Sequence, residues 1–259
     1  MCPPDHYDIE YEINPWMHTD NDVVPERAME EYNAVKNTFL KLGVELHEIK
    51  QAKGLPDMVY TANGGQVVGN TFIVAAFRYK ERQGESVLFQ NYFEKEFGMT
   101  TKTMPKGVFF EGQGDLLTDD TRYFFGWGKR SSQEALPYLE KWLDKPVHAF
   151  ETINPYYYHL DTCFHPLNEK LVIINQRSFK NEDLARIHEL FETVIETSEE
   201  DNKVMCCNMV HVGQNIVVNG NITNDLKNTL SSHGYTVHGV ETAEYIKGGG
   251  SVKCVSFEF

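Results

Sequence analysis

His159 and Asp161 stand two positions apart in His159-Leu160-Asp161-Thr162-Cys163. In a strand that spacing turns both side chains to one face. An imidazole can donate and accept protons near neutral pH, so the segment can aim an acid–base group and a carboxylate into one pocket. The nucleophile for them to work with is Cys254, which follows Gly248-Gly249-Gly250-Ser251-Val252-Lys253. Glycines tolerate unusual backbone angles and let a ligand approach closely. A thiol attacks as the thiolate, which a nearby cation favours. Glu111, in Phe-Glu-Gly-Gln-Gly-Asp, or Asp161 itself can orient the imidazole.

Other readings compete. His159, Asp161, Cys163 and His165 share strand parity, a face suited to zinc or iron. Ligands at i, i+2 and i+4 would spread over roughly 13 Å, however, and neither CxxC nor HExxH occurs, so no metal and no cofactor is expected. Asp57, Asn63, Asp115 and Asp161 form an excess of anionic and amide groups. Buried carboxylates need partners, and a planar guanidinium matches them in bidentate fashion. Asp57 after proline and Asn63 before Gly-Gly also suit ordinary turns. Arg82 and Arg130 either clamp an amino-acid carboxylate or are solvated surface charges.

The elements that must position these groups recur. Five amphipathic helices are expected over Pro25–Leu42, about Glu85–Phe97, about Ser132–Leu143, Asn181–Thr197 and about Thr223–Ser232. Each precedes a β-rich run: Val44–Ile49, Thr100–Met104, Val147–Phe150, Lys203–Met205 and Tyr235–Val240. A polar or Gly-rich motif follows most of these runs, beginning near Asp57, Glu111, His159, Asn208 and Gly248. Strands at Thr71–Ala76, Tyr123–Trp127, Leu171–Asn175 and Asn215–Asn219 follow four of the motifs. Such a fivefold repeat points to a cyclic or solenoidal α/β architecture. In a closed ring the equivalent loops would meet at the axis, bringing Asp57, Asn63, Glu111, His159, Asp161 and Cys254 into one site.

Composition narrows the class. The 259 residues are 41% hydrophobic and 24% charged, with net charge −14, ordinary for a globular protein and unsuited to nucleic acid or anionic membranes. The charge permits cationic small molecules. No apolar run is long enough to span a bilayer. The start of the chain reads unlike a secretory signal, and five cysteines do not form a disulfide framework, so a cytoplasmic setting is expected.

The whole chain resembles the guanidino-group-modifying superfamily with the pentein fold. The carriers are Asp57 in Pro-Asp-Met-Val-Tyr-Thr-Ala-Asn, Glu111 in Phe-Glu-Gly-Gln-Gly-Asp, His159-Leu-Asp161 and the late Cys254. It is most similar to arginine dihydrolase domains of bifunctional cyanobacterial enzymes, at Pro4-Asp5-His6-Tyr7-Asp8, Ile13-Asn14-Pro15-Trp16-Met17, Lys80-Glu81-Arg82-Gln83-Gly84 and Tyr158–Cys163. The resemblance implies a single catalytic domain over residues 1–259, folded as a five-bladed α/β propeller of pseudo-fivefold repeats around an axial site. It assigns the nucleophile to Cys254, the acid–base role to His159 and the histidine-orienting role to Glu111. Guanidinium contacts fall on Asn63 and Asp161 with Asp57 nearby, substrate-carboxylate anchors on Arg82 and Arg130, and a further substrate contact on Asn14. The partner is then a small guanidine such as L-arginine; the family is often homo-oligomeric. Deiminases carry aspartate at the position of Asn63, and dimethylarginine hydrolases carry Glu-Asp where this chain has Ala62-Asn63; arginine dihydrolases carry asparagine. The implied reaction is cysteine-dependent hydrolysis of arginine to ornithine, ammonia and carbon dioxide. Deiminase, dimethylarginine hydrolase, amidinotransferase and a non-catalytic guanidine-binding module are the alternatives.

Overall fold

Helix α1 (Pro25–Lys41) turns Ala28, Tyr32, Val35 and Phe39 to the interior, the spacing of one helical face. Proline at its first turn costs no hydrogen bond. The computed structural model describes residues 1–259. Strands β1 (Gly65–Val68) and β2 (Thr71–Val74) form an antiparallel hairpin; α2 (Gln83–Phe97) then crosses to β3 (Thr100–Lys102), which lies parallel to β2. Gly98, at φ 64°, takes the left-handed conformation that ends α2.

The same unit recurs three times. Strands β4 (Leu116–Thr118) and β5 (Tyr123–Trp127), helix α3 (Leu136–Trp142) and β6 (Val147–Glu151) make the second sheet. Strands β7 (Phe164–Asn168) and β8 (Leu171–Ile174), helix α4 (Asn181–Leu190) and β9 (Thr193–Glu196) make the third. A short helix α5 (Glu199–Lys203) leads to β10 (Val210–Val212) and β11 (Asn215–Asn219); helix α6 (Asn224–Ser232) and β12 (Thr236–Val240) complete the fourth, and α7 (Ala243–Lys247) follows. In every sheet the second strand is central, antiparallel to the first and parallel to the third. The chain is thus a mixed α/β fold of four three-stranded sheets.

Expectation and structure part in several places, and the first strand of each sheet was not among those expected. Helix α4 stops at Leu190 rather than Thr197, and Val194 and Ile195 lie in β9, parallel to β8. The β-branched run Thr-Val-Ile suits a strand once β8 offers a ladder. Lys180, not Asn181, is the cap residue. Lys203–Met205 is no strand: Ser198 caps α5 by accepting from the Asp201 N–H, and Met205 is left-handed at φ 53°. Val44–Ile49 joins no sheet; it hydrogen-bonds the first residue instead, through Ile49 N to Met1 O (2.9 Å) and Met1 N to His47 O (2.8 Å).

The buried apolar residues fall into five clusters. Four pack the sheets and α2, α3, α4 and α6 against one another, and the fifth joins α1, Tyr7 and Ile9 to Val217, Val240, Val252 and Val255. The two ends of the chain therefore share one core.

Candidate active site

Each sheet's first strand is preceded by one of the polar motifs, folded as a tight turn: Pro56–Val59 and Thr61–Gly64 before β1, Gly112–Gly114 before β4, Leu160–Thr162 before β7, and the turn at Asn208 before β10. The Cys254 turn is the fifth. Contacts link them in a closed circuit. Ala62 N donates to Cys254 O (3.1 Å), and Lys253 N to Asn208 O (3.2 Å). Asn208 Nδ2 donates to Asp161 O (3.3 Å), and Leu160 N to Asp115 Oδ1 (3.0 Å). Gly112 closes the circuit: at φ 58° it packs so tightly on the first motif that a Cβ would stand 2.6 Å from Gly65 N and 2.7 Å from Ala62 O.

Cys254 is 2% exposed. Its thiol donates to Asp161 Oδ2 at 3.3 Å, and Asn208 Nδ2 donates to its sulfur at 3.1 Å. Burial, then the Asp161 carboxylate, push the thiol well above its ordinary range. Burial likewise raises Asp161 to about 7, against the opposing hydrogen bond from Cys254 and the charge of Lys253.

His159 is extended and precedes the Leu160–Thr162 turn, so His159 and Asp161 do not alternate along a strand as expected. The turn itself brings both inward. Cys163 donates to the His159 and Leu160 carbonyls, and His165 pairs with His211 at 3.0 Å, so the four residues considered for metal binding share no face.

Glu111 Oε2 lies 2.8 Å from His159 Nε2 and accepts from Arg130 Nη1 at 3.1 Å. Burial favours the neutral acid, but Arg130 and the His159 hydrogen bond outweigh it and hold Glu111 well below the usual carboxylate range. An ionised carboxylate only accepts, so Nε2 carries the proton and Nδ1 is the nitrogen left for proton exchange. Asp115 sits behind, held by Ser131 Oγ at 2.6 Å and raised to about 6 by burial.

Arg82 lies in the floor. Its Nε and Nη2 donate to Glu85 (2.8 and 2.9 Å), Nη2 to Asp57 O (3.2 Å) and Nη1 to Asn63 Oδ1 (2.8 Å). Four of the five guanidinium donors are thus engaged, which leaves little of Arg82 for the carboxylate anchor expected of it. Because Arg82 can only donate, Asn63 must present Oδ1 to it and Nδ2 elsewhere. Asn63 Nδ2, Asp57 Oδ1 and Asp161 Oδ1 are buried without a hydrogen-bond partner. Gly114 makes room for this amide: a Cβ there would stand 2.2 Å from Asn63 Nδ2.

Arg130 is placed differently. Its guanidinium lies over the Tyr79 and Tyr158 rings (4.8 and 4.4 Å) and donates to Glu111 and Ile13 O, so three N–H groups stay free. It lines a cavity of about 410 Å³ with Glu12, Asn14, Tyr79, Lys129 and Tyr158. Asn14, expected at the substrate, spends its amide on Tyr158 OH and Gly248 O and its carbonyl on Trp16 N and Met17 N. It staples the 14–17 segment to the glycine run that leads to Cys254. A larger cavity of about 470 Å³, lined by Phe39, Phe89, Phe93 and Phe257, holds none of these groups.

Glu85, Tyr158, Tyr79 and Asn208 were assigned no role from sequence. Asn208 and Tyr158 carried a signal, their places in the fourth and third motifs.

The family described as N,N dimethylarginine dimethylhydrolase, eukaryotic, matches residues 8–259. The bifunctional arginine dihydrolase/ornithine cyclodeaminase ArgZ of Synechocystis is 38% identical over 262 residues, covering 99% of this chain and 37% of that protein. This chain therefore spans little more than a third of that relative. The dimethylarginine dimethylaminohydrolase of Mycobacterium tuberculosis is 34% identical over 258 residues, covering 100% of this chain and 84% of that protein. The substrate-bound N-terminal domain of ArgZ, an arginine dihydrolase from the ornithine-ammonia cycle in cyanobacteria, superposes with a TM-score of 0.94 at 37% identity, covering 98% of this chain and 95% of that one. With its motifs, its geometry and a match over nearly its full length in agreement, the chain belongs to the N,N dimethylarginine dimethylhydrolase family of the guanidine-modifying superfamily.

Proposed function

We propose that this protein hydrolyses L-arginine through a covalent amidino-thioether on Cys254, and that it is an arginine dihydrolase giving ornithine, two ammonia and carbon dioxide. The observation that carries the reading is a set of buried atoms without hydrogen-bond partners on the two motif turns that touch Cys254: carboxylate oxygens of Asp57 and Asp161 and the amide nitrogen of Asn63. Two carboxylates suit a guanidinium, which has donors only. The Asn63 N–H does not; it suits the oxygen of a neutral ureido group. The likeness to the cyanobacterial dihydrolases supports the same choice.

A guanidinium entering between Asp161 and the sulfur displaces their hydrogen bond and supplies the cation a thiolate needs, and the thiol proton passes to His159 Nδ1. Sulfur attacks the guanidinium carbon. His159, through Nδ1, protonates the departing ammonia; Glu111 and Arg130 hold the ring. His159 then takes a proton from water as it attacks, the carbon–sulfur bond breaks and citrulline forms. In the second round sulfur attacks the ureido carbon with its oxygen on Asn63 Nδ2. Ammonia leaves, water cleaves the thiocarbamate, and the carbamate loses carbon dioxide to give ornithine. Arg130, with free donors at the mouth, is the stronger anchor for the substrate carboxylate; Arg82 orients Asn63.

In this reading residues 1–259 are one catalytic domain, a five-bladed ring whose fifth blade unites the chain's two ends. The circuit of five motif turns and the five apolar clusters support it. The protein acts on a small molecule in this reading, and the reducing cytoplasm suits its five free cysteines. Incubation of purified protein with arginine tests the reading. Ornithine with two ammonia per arginine is expected; stoichiometric citrulline with one ammonia would make it a deiminase, and no turnover of arginine would leave a dimethylarginine hydrolase, an amidinotransferase or a guanidine-binding module.

A further inference from the structure

Asn208 makes four contacts from a side chain that is fully buried. Oδ1 accepts from Ser251 N at 2.9 Å and from Cys254 N at 3.1 Å, while Nδ2 donates to Cys254 Sγ at 3.1 Å and to Asp161 O at 3.3 Å. The orientation of the amide is forced. Two backbone N–H groups can only donate, so the atom facing them is oxygen and the atom facing the sulfur is nitrogen. One side chain thus shapes the nucleophile turn from two sides and aims an N–H at the reacting atom.

Beyond Asn208 and the Ser251 backbone N–H, the groups around the sulfur do little for a negative charge. Asp161 faces it at 3.3 Å. Tyr158, from the segment before His159, donates its hydroxyl to Gly249 O at 3.0 Å. Tyr60, from the first motif, presses its ring on Gly250 and gives its own hydroxyl hydrogen to Tyr245 O at 2.7 Å. Lys253, the neighbouring cation, turns its ammonium away to Gln113 at 2.9 Å and to Glu258. Asn208 is the side chain whose donor points at sulfur.

We propose that Asn208 is a positioning and thiolate-stabilising residue: its amide N–H favours the thiolate of Cys254 in the free and the substrate-bound protein alike, while its carbonyl fixes the turn that presents the sulfur. The role assumes Cys254 is the nucleophile of the hydrolase proposed above. A hydrogen bond to a charged group is worth about 1.5–3 kcal/mol, roughly ten- to a hundredfold in thiolate population.

Asn208→Asp separates the two functions. It keeps acceptor oxygens for Ser251 and Cys254 N–H and replaces the donor at sulfur with a second carboxylate. The measurement is the pH–rate profile of Cys254 alkylation by iodoacetamide in the substrate-free protein, with the labelled peptide identified by mass, alongside circular dichroism and melting temperature. For a folded variant, a profile midpoint at least one pH unit above wild type and a rate at pH 7.5 at least tenfold lower are expected. An unchanged profile with reduced turnover means Asn208 acts on the turn alone and overturns the proposal. Should Asn208→Asp not fold, the side-chain amide of Asn208 in ¹⁵N-asparagine-labelled wild type is followed by NMR. Its signals must shift across the Cys254 titration, and a silent amide refutes the contact. Neither readout needs arginine. A shifted profile in a protein that does not turn over arginine would sink the hydrolase and leave this role standing; turnover with an unshifted profile would do the reverse.

Discussion

Replacing Asn63 by aspartate should convert the enzyme into one that stops at citrulline. The substitution is nearly isosteric, and one carboxylate oxygen can accept the 2.8 Å bond that Arg82 Nη1 now gives to Asn63 Oδ1. The other oxygen takes the place of Nδ2, the orphaned donor. For cationic arginine this adds attraction beside Asp57 and Asp161. For neutral citrulline it removes an N–H donor and turns a carboxylate oxygen toward the ureido oxygen. The loss is about 1–3 kcal/mol, the cost of leaving a buried polar group unsatisfied, or roughly five- to a hundredfold in the second hydrolysis. The assay follows arginine labelled in its guanidino carbon, with labelled citrulline reporting the first step and labelled carbon dioxide the second. Arginine consumption is expected to stay within about tenfold of wild type while the carbon dioxide to citrulline ratio falls by that factor. If Asn63→Asp still released two ammonia per arginine at the wild-type ratio, the role assigned to the Asn63 N–H would be refuted.

Other consequences are as direct. Glu111→Gln removes the charge that fixes the His159 tautomer and balances Arg130, so kcat is expected to fall by about 10²–10⁴, the range of general acid–base catalysis; a loss under tenfold in steady-state kinetics would place the acid–base residue elsewhere. Asp161 has its pKa raised from 3.8 to about 7, so its contribution to the stability of the ligand-free protein is fully present below 3.8 and lost as pH rises through about 7. Only its carboxylate form attracts guanidinium, so calorimetry of a Cys254→Ser variant should show arginine binding tighten by about tenfold between pH 6 and pH 8, and a flat profile would contradict the pairing. Glu85→Ala strips the main partner from a fully buried Arg82, costing about 3–5 kcal/mol and lowering the melting temperature by roughly 6–20 °C; an unchanged melting curve would show that Asp57 suffices. Gly114→Ala forces a methyl to within 2.2 Å of Asn63 Nδ2, and turnover should collapse with little change in circular dichroism.

Much of this was legible because secondary structure and motif order are local. Five amphipathic helices, the strands Tyr123–Trp127 and Asn215–Asn219 and the placing of a strand after four of the polar motifs follow from side-chain periodicity and capping. The misreadings share a cause. Val44–Ile49 reads as a strand but finds no sheet, and Thr193–Glu196 reads as the tail of a helix until β8 offers it a ladder. Strand formation depends on partners distant in sequence, which one chain segment does not reveal. The His159-Leu160-Asp161 spacing suggested a strand face; a turn delivers the same convergence by different backbone angles.

Residue types alone determined that Cys254, His159, Glu111 and a surplus of carboxylates were available for guanidine chemistry, because nucleophilicity, proton exchange and charge belong to side chains. Only the tertiary structure decided how they are spent. Arg82 is consumed in the floor by Glu85 and Asn63, and Arg130 keeps donors for the mouth. Asn14 staples a loop, and Asn208 points an N–H at sulfur. Hydrogen-bond capacity is finite, and which partner takes it is settled by geometry across chain separations such as the 46 residues between Asn208 and Cys254.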